Sequence, residues 1–153
     1  MRIGQNRAAG LLASLFALFV IATSVSAQGN TANITKLTVK SVVLGEDRTI
    51  LVRTPAGYDA KKTPYPVLYM TDGDGHMAHT AATIEFLARN GRMSDLIVVA
   101  IANTDRTRDL TPTKAVGDGA DRFKTAGGAD NFLKFIETEL IPEIEKTYAV
   151  RPY

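Results

Sequence analysis

The sequence predicts an α/β fold, in which an N-terminal antiparallel hairpin precedes two parallel strands and two main helices. Three observations favour this class. Two segments alternate polar and apolar residues around a turn, two short runs are apolar throughout, and two longer segments repeat apolar residues at helical spacing. Strands that alternate with helices are typical of a sheet with helices packed on its faces.

The hairpin is predicted at residues 36–44 and 49–54. The first segment alternates polar and apolar residues at Leu37 and Val39 and continues to Val42 and Val43, and the second places Ile50 and Val52 on one side, which is the period of a strand. Residues 45–47, which read Gly-Glu-Asp, form the turn signal between them. Pro55 ends the second strand, because proline has no N–H for the strand ladder.

The two apolar runs, residues 66–70 and 96–101, predict parallel strands that are buried on both faces. Between them, residues 80–90 carry apolar side chains at helical spacing, and Gly91 lies where a helix would end. The polar, glycine-rich residues 71–75 would then connect the first of these strands to the helix.

The last third of the sequence predicts a loop and an interrupted helix. Residues 103–126 are polar and show no period, and a loop of this length in a compact domain is usually functional or disordered. Residues 130–148 repeat apolar residues at helical spacing, but Pro142 interrupts them. We therefore expect a kink or break near Leu140.

The first 27 residues have the three parts of a signal peptide. Arg2 and Arg7 give a basic start, residues 8–25 are uncharged, and small residues precede a predicted cleavage after Ala27. The alternative is an uncleaved membrane anchor. The layout favours a secreted or periplasmic protein that has no stable membrane association after cleavage.

Composition limits the chemistry of the chain. Apolar residues make up 45% and charged residues 22%, a globular balance. The absence of cysteine excludes disulfides, thiolate zinc sites and cysteine nucleophiles. Without Arg2 and Arg7 the remaining sixteen basic and sixteen acidic residues cancel, so no nucleic-acid partner is predicted. Residues 28–35 are expected to be a flexible lead-in, and residues 36–153 the folded domain.

The sequence shows no evident serine nucleophile. After Ala27 the only serines are Ser41 and Ser94, and neither lies in a Gly-x-Ser-x-Gly turn. The only histidines, His76 and His79, lie close to aspartates. A base, a pair of zinc ligands and ordinary loop residues are the alternatives for them, and the pattern is too loose to predict a metal site.

The most informative segment is 72–75, Asp-Gly-Asp-Gly. Its glycines would let the backbone turn sharply and approach a ligand at the carboxyl end of the sheet, where open α/β sheets bind their ligands. A generic tight turn is the alternative. Asn103, Arg106 and Arg108 follow the next strand. The arginines would either contact an anionic or hydroxyl-rich substrate or pair with aspartates of their own loop.

Three blocks of sequence resemble one enzyme family. Residues 65–73 read Tyr-Pro-Val-Leu-Tyr-Met-Thr-Asp-Gly, residues 101–113 include Arg-Asp-Leu-Thr-Pro-Thr, and residues 127–142 begin Gly-Gly-Ala-Asp-Asn-Phe. These blocks resemble the “Putative esterase” family of α/β-hydrolases, which includes esterase D, enterochelin esterases and feruloyl esterases. The resemblance extends over residues 36–153, and the Arg-Asp-Leu-Thr-Pro-Thr block is its most specific part.

The resemblance implies serine-dependent hydrolysis of a small-molecule carboxylic ester, or acyl transfer from it, without a metal or organic cofactor. It implies an oxyanion donor at the backbone N–H of Asp74, directly after Gly73. On the substrate side we predict Asp72, His76, Asn103, Arg106 and Arg108.

The resemblance also implies that the catalytic triad lies beyond residue 153, because the family's serine, acid and histidine follow in that order. We therefore expect an α/β-hydrolase sheet that stops before the nucleophile elbow, with the next strand starting just past Tyr153. The chain is then an inactive fragment of an esterase; the alternative is a non-catalytic binding protein that keeps the cleft. An unpaired strand edge at residues 66–70 further predicts low solubility or self-association.

Overall fold

The computed structural model describes residues 33–61 and 64–151, so the predicted signal peptide lies outside the described residues. In this part of the chain four strands form one sheet in the order β1-β2-β4-β3. Only the pairing of β3 with β4 is parallel, while β1 with β2 and β2 with β4 are antiparallel. The predicted α/β class is confirmed. The strands are β1 (Asn33–Ser41), β2 (Glu46–Thr54), β3 (Val67–Met70) and β4 (Ile97–Ile101).

The hairpin lies about three residues earlier than predicted. β1 begins at Asn33, inside the segment that was expected to be a flexible lead-in, and its last residue Ser41 pairs with Glu46. Gly45 closes the turn with a φ of 67°, a value that favours glycine. The turn therefore covers residues 42–45 and contains only the glycine of the Gly-Glu-Asp signal, because Glu46 and Asp47 belong to β2.

Glu139 holds this displaced turn from a distant part of the chain. Its carboxylate accepts hydrogen bonds from the Ser41 hydroxyl (2.5 Å) and from the N–H groups of Val42 (2.9 Å) and Val43 (3.0 Å). Burial raises the pKa of Glu139, but these three hydrogen bonds together outweigh it and lower the pKa below its ordinary value. The position of the turn thus depends on a contact that the hairpin sequence does not contain.

Helices cover both faces of the sheet. The long helix α1 packs on one face, and α3, α4 and the π-helical turn between them pack on the other. A short helix, α2, lies inside the segment predicted to be a continuous loop. The bounds are α1 (Gly73–Arg89), α2 (Arg106–Leu110), α3 (Ala129–Phe135), the π-helical turn (Ile136–Leu140) and α4 (Ile141–Thr147).

Helix α1 begins seven residues before its predicted start. The predicted helix began where the apolar stripe becomes clear, but Gly73 and Met77 are also buried and extend the stripe of Ala81 and Ile84 back towards the strand end. The helix begins with Gly73, and a Cβ at this position would lie 2.8 Å from the carbonyl carbon of Ala100. Only glycine therefore lets α1 start so close to β4.

The break predicted near Leu140 is confirmed, and it takes the form of the π-helical turn. Pro142 is the second residue of α4 and cannot donate an N–H to the preceding turn, and a π turn is one way in which a helix accommodates such a missing hydrogen bond. On both sides of this turn the helices contribute to the same core, through Phe132, Leu140 and Ile144.

Burial differs between the two strands that were predicted to be covered on both faces. All five residues of β4 are buried, as predicted. In β3 the prediction is wrong, because no residue of this strand is fully buried and Leu68 is 38% exposed. This exposure arises because β3 is the edge strand of the described sheet, so only one of its two edges pairs with a neighbouring strand, β4.

The far side of β3 begins to pair just before the strand. Tyr65 donates its N–H to the Ala149 carbonyl (2.9 Å) and accepts from the Arg151 N–H (2.8 Å), which forms a parallel bridge to Val150. The Tyr58 hydroxyl accepts from the Ala149 N–H (2.7 Å) and holds this segment in place. The next parallel strand was expected to start past Tyr153, but parallel pairing already starts at Val150.

Candidate active site

The carboxyl ends of β3 and β4 lie side by side, and the candidate residues meet there. The parallel register pairs Met70 with Ala100, so the segments that follow both strands leave the sheet together. Asp72 lies two residues after β3, and Asn103 lies two residues after β4. The structure therefore brings together residues that are 31 positions apart in the sequence.

A tight corner joins β3 to α1. Asp72 adopts a left-handed conformation with φ 55°, the only positive φ of a non-glycine residue in the described part of the chain. Its carbonyl accepts from the N–H groups of Gly75 (3.0 Å) and His76 (3.0 Å). The N–H groups of Gly73 and Asp74 precede this first bonded turn, so they have no acceptor within the helix and carry its positive dipole end.

Asn103 connects the corner to the end of β4. Its side-chain Nδ2 donates to Asp72 Oδ1 (2.9 Å) and to Asp74 Oδ1 (3.2 Å). Its backbone N–H also donates to Asp74 Oδ1 (3.2 Å). Both carboxylates of the corner are thus bonded to one neutral amide.

Arg106 bonds to the same corner from the start of α2. Its Nε and Nη2 donate to Asp72 Oδ1 (2.7 Å) and Oδ2 (3.2 Å), a bidentate pair. The hydrogen bonds from Arg106 and then Asn103 lower the pKa of Asp72 below its ordinary value. The expected local partner of Arg106 was an aspartate of its own loop; the actual partner comes from the β3–α1 corner. The guanidinium remains 64% exposed.

Arg108 points to a different set of partners. It donates from Nε to Asp109 (2.8 Å) and from Nη2 and Nη1 to the two oxygens of Glu46 (2.6 and 3.1 Å). The hydrogen bond from Arg108 lowers the pKa of Glu46 most, and it outweighs burial. A Cβ on Gly128 would lie 2.6 Å from Arg108 Cγ, so the backbone packs closely on this side chain. In this structure the guanidinium donors of Arg108 bind the carboxylates of Asp109 and Glu46. A substrate-binding role for Arg108 stays a prediction.

The histidines lie in the first turns of α1, not in the loop where they were predicted. His76 and His79 are exposed, and their rings contact each other edge to face with centroids 5.0 Å apart. The charge of His76 contributes to the lowered pKa of Asp72. Within residues 33–61 and 64–151, no group of three or more His, Cys, Asp or Glu side chains is arranged to hold a metal ion.

A cavity of about 420 Å³ lies away from this corner, beside β1. Its walls are the strand residues 37–40 and one side of the π turn and α4, namely Glu139, Glu143 and Thr147. The candidate residues at the ends of β3 and β4 do not line it. The cavity is therefore a feature separate from the corner.

The profile of the family described as “Putative esterase” matches residues 41–153. The chain belongs to this esterase family. Among solved structures it is similar to an IroE-like serine hydrolase from Shewanella oneidensis, with 34% identity, a TM-score of 0.72 and coverage of 77% of this chain. It is also similar to a CE1 ferulic acid esterase from Anaeromyces mucronatus, with 25% identity, a TM-score of 0.58 and coverage of 78% of this chain.

A curated relative is protein YbbA of Bacillus subtilis, 26% identical over 105 residues, or 68% of this chain. The chain spans 42% of YbbA, 40% of the Shewanella hydrolase and 44% of the Anaeromyces esterase. The comparisons thus concern about two-fifths of each relative.

Serine esterases of the α/β-hydrolase type carry their nucleophile in a Gly-x-Ser-x-Gly turn, and the 153 residues contain no such turn. Ser41 donates to Glu139 and accepts from the Leu44 N–H (2.9 Å) at the end of β1, so it has a structural role in the hairpin. Ser94 is exposed in the connection before β4.

Sequence reasoning missed α2 and with it the placement of Arg106. Asp105 caps this helix, since its carboxylate accepts from the Arg108 N–H (3.0 Å) and from the Thr125 hydroxyl (3.0 Å). The backbone hydrogen bond from Arg108 contributes most to lowering the pKa of Asp105. An aspartate before a short polar segment is a helix-start signal, and it could have identified α2.

Proposed function

We propose that this chain supplies the oxyanion-binding arm and the substrate-side loop of an exported serine esterase that acts on small-molecule carboxylic esters. The observation that carries the proposal is the Asp72–Asp74 corner, which leaves two N–H groups outside the first bonded turn of α1 at the carboxyl end of β3. Attack on an ester carbonyl creates an oxyanion, and preorganised N–H donors are the groups that stabilise it.

Each candidate residue has a role in this proposal. The N–H of Asp74 is the oxyanion donor, and Gly73 allows it to lie close to the sheet. Arg106 presents an exposed guanidinium to a polar or anionic part of the ester. His76, Asp72 and Asn103 lie around the same corner.

The serine, its base and its acid come, in this proposal, from residues outside these 153. The chain alone then lacks turnover, because an oxyanion arm cannot attack an ester. Purified chain mixed with p-nitrophenyl acetate should release p-nitrophenol no faster than buffer. Release clearly above that rate, and abolished by substitution of Ser41 or Ser94, would refute this part of the proposal.

A chimera tests the oxyanion arm itself. Residues 33–153 would be joined to the part of the Shewanella hydrolase that this chain does not match. Asp74→Pro removes the N–H in the first helical turn, where proline is tolerated. We expect kcat to fall about 10²- to 10³-fold, the usual loss for one oxyanion donor. Asp74→Ala is the reference for this loss, because it lacks the same carboxylate, to which Asn103 bonds, but keeps the N–H. Equal rates for the two variants would contradict the role of this N–H.

A non-catalytic binding protein is the second candidate, favoured by the absence of a Gly-x-Ser-x-Gly turn from the sequence. Saturable binding of a non-hydrolysable ester analogue to the chain, together with an inactive but folded chimera, would support it over the esterase.

We also propose export with cleavage after Ala27. No helix in the described part of the chain is long and apolar enough to cross a membrane. Mass spectrometry of protein from the periplasm or medium should find a mature N-terminus at Gln28; an intact Met1 would count against cleavage.

Self-association through the β3 edge is a further proposal, supported by the exposed Leu68. The oligomer fraction measured by light scattering should fall in Leu68→Lys and stay unchanged in Leu133→Lys, a residue of α3 that is 62% exposed.

A further inference from the structure

We propose that Asn103 is a positioning residue, whose side-chain amide holds the Asp72–Asp74 corner in the conformation that leaves the N–H groups of Gly73 and Asp74 outside the bonded turns of α1. The value of this role for catalysis rests on the proposed function, since it assumes that these N–H groups bind an oxyanion. The positioning itself is argued from contacts alone.

The corner has two features that oppose its own formation. Asp72 is left-handed, with φ 55° and ψ 35°, a conformation that disfavours L-residues although aspartate tolerates it better than most. Asp72 and Asp74 also bring an oxygen each within 3.2 Å of the same nitrogen, so their carboxylates converge. Two converging like charges repel each other.

Asn103 offsets both features with one neutral group. A side-chain amide has two donor hydrogens, and each can bond to one of the two carboxylates. The backbone N–H of Asn103 adds a third bond, to Asp74. Because asparagine carries no charge, it draws the two carboxylates together without adding another repulsion.

Asn103 can act as an anchor because the residue before it is held by the core. The Ala102 N–H donates to the Thr49 carbonyl (3.0 Å), and the Ala102 carbonyl accepts from Arg48 Nη2 (3.1 Å). The Arg48 side chain is only 1% exposed. The corner is therefore tied through Asn103 to a rigid part of the sheet.

Arg106 cannot replace this anchor. It is mostly exposed, and its bonds go to the Asp72 carboxylate alone. Among the described residues, the hydrogen bonds to the Asp74 carboxylate come from the backbone N–H and the side-chain amide of Asn103. Arg106 thus balances the charge of Asp72, whereas Asn103 joins Asp72 to Asp74.

The test is nuclear magnetic resonance of the ¹⁵N-labelled full chain, read at the amides of Gly73 and Asp74. Asn103→Ala should shift or broaden both signals and leave those of the β1–β2 hairpin in place. Asn90→Ala is the matched control, because Asn90 donates its side-chain amide to the Phe86 carbonyl (2.6 Å) at the other end of α1. That control should leave the Gly73 and Asp74 signals unchanged.

Asn103→Asp separates positioning from simple loss of packing, because the new side chain has the same shape. The charged and titratable groups that face it are Asp72, Asp74, Arg106 and His76. At neutral pH a third carboxylate should disturb the two amides as Asn103→Ala does. Two neighbouring carboxylates should raise the pKa of the carboxyl introduced at position 103. As the pH falls from about 8 to about 5, protonation of that carboxyl should return both signals towards the wild-type positions at the same pH.

Unchanged Gly73 and Asp74 signals in Asn103→Ala would overturn the inference. So would a disturbance in Asn103→Asp that does not reverse with pH, since a packing defect would not titrate. If Asn103→Ala does not fold, the reversal in Asn103→Asp decides alone. The measurement involves no ester, so an inactive chimera would count against the proposed function and not against the positioning role of Asn103.

Discussion

Arg48 and Asp109 form a buried ion pair that joins β2 to α2, with 2.7 Å between Nη1 and Oδ2. The two side chains are 1% and 2% exposed. Glu46 and Arg108 complete a network of two cations and two anions around the pair. The segment that carries Asn103 and Arg106 is therefore attached to β2 through these charged side chains.

Asp109→Ala should lower the free energy of unfolding by about 2–3 kcal/mol, because it removes one of the two carboxylates that pair with the buried Arg48 guanidinium and leaves only Glu46. Urea denaturation measures this change. Arg89→Ala is the control, since Arg89 is 76% exposed in its pair with Glu85 and should contribute no more than about 0.5 kcal/mol. A loss in Asp109→Ala as small as in the control would show that the network does not stabilise the fold.

Arg53 should respond in the opposite way. Its side chain is fully buried, and within the described residues its Nε and Nη2 atoms have no hydrogen-bond partner. Arg53→Met removes these two unsatisfied donors together with the ion pair to Asp95, and water can hydrate Asp95, which is 27% exposed. We expect the free energy of unfolding in urea to stay level or to rise by about 1 kcal/mol. The comparison variant is Arg48→Met, which should lower it, and equal losses in both would contradict the argument.

Gly73→Ala should destabilise the protein by about 1–3 kcal/mol, because the new Cβ would lie 2.8 Å from the Ala100 carbonyl carbon and force α1 away from β4. Gly75→Ala is the matched control in the same helical turn. A Cβ there meets nothing within 4 Å, so the change should be neutral or add about 0.5 kcal/mol of helix stability. Thermal unfolding of both variants measures the difference, which should vanish if α1 does not start against β4.

The corner should weaken in acid. Hydrogen bonds from Arg106 and Asn103 hold the pKa of Asp72 below its ordinary value of 3.8. A carboxyl with a lowered pKa in the folded state stabilises above its unfolded pKa, and the contribution is lost as the pH falls through the folded pKa. Wild type should therefore lose stability below about pH 4 relative to Asp72→Asn, which does not titrate there.

Stability as a function of pH for the two proteins checks this prediction. Glu46, Asp105 and Glu139 also have lowered pKa values, so both proteins should lose stability in acid and only the difference between them reports on Asp72. Parallel pH curves for the two proteins would show that the pairing of Asp72 does not contribute to stability.

Much of the candidate site could be located from the sequence, because strand ends and glycines are local signals. The apolar run of β4 and the Asp-Gly-Asp-Gly segment indicated where the chain leaves the sheet, and the structure brings Asp72, Asn103 and Arg106 together there. The predicted pairing of an arginine with an aspartate of its own loop is confirmed for Arg108, which bonds to Asp109, but the more distant partners of the arginines could not be located in this way. Arg106 pairs with a residue 34 positions away, and Arg108 pairs with one 62 positions away.

By itself the sequence determined the kinds of the main elements, though not helix α2, and the place of the interruption before Pro142, because apolar periodicity and the missing proline N–H act within one or two turns of chain. Only the tertiary structure decided how exposed β3 is, where α1 starts and which carboxylates face Asn103. These properties depend on which strands become neighbours, and contacts between Glu139 and the hairpin or between Gly73 and Ala100 have no local signature in the chain.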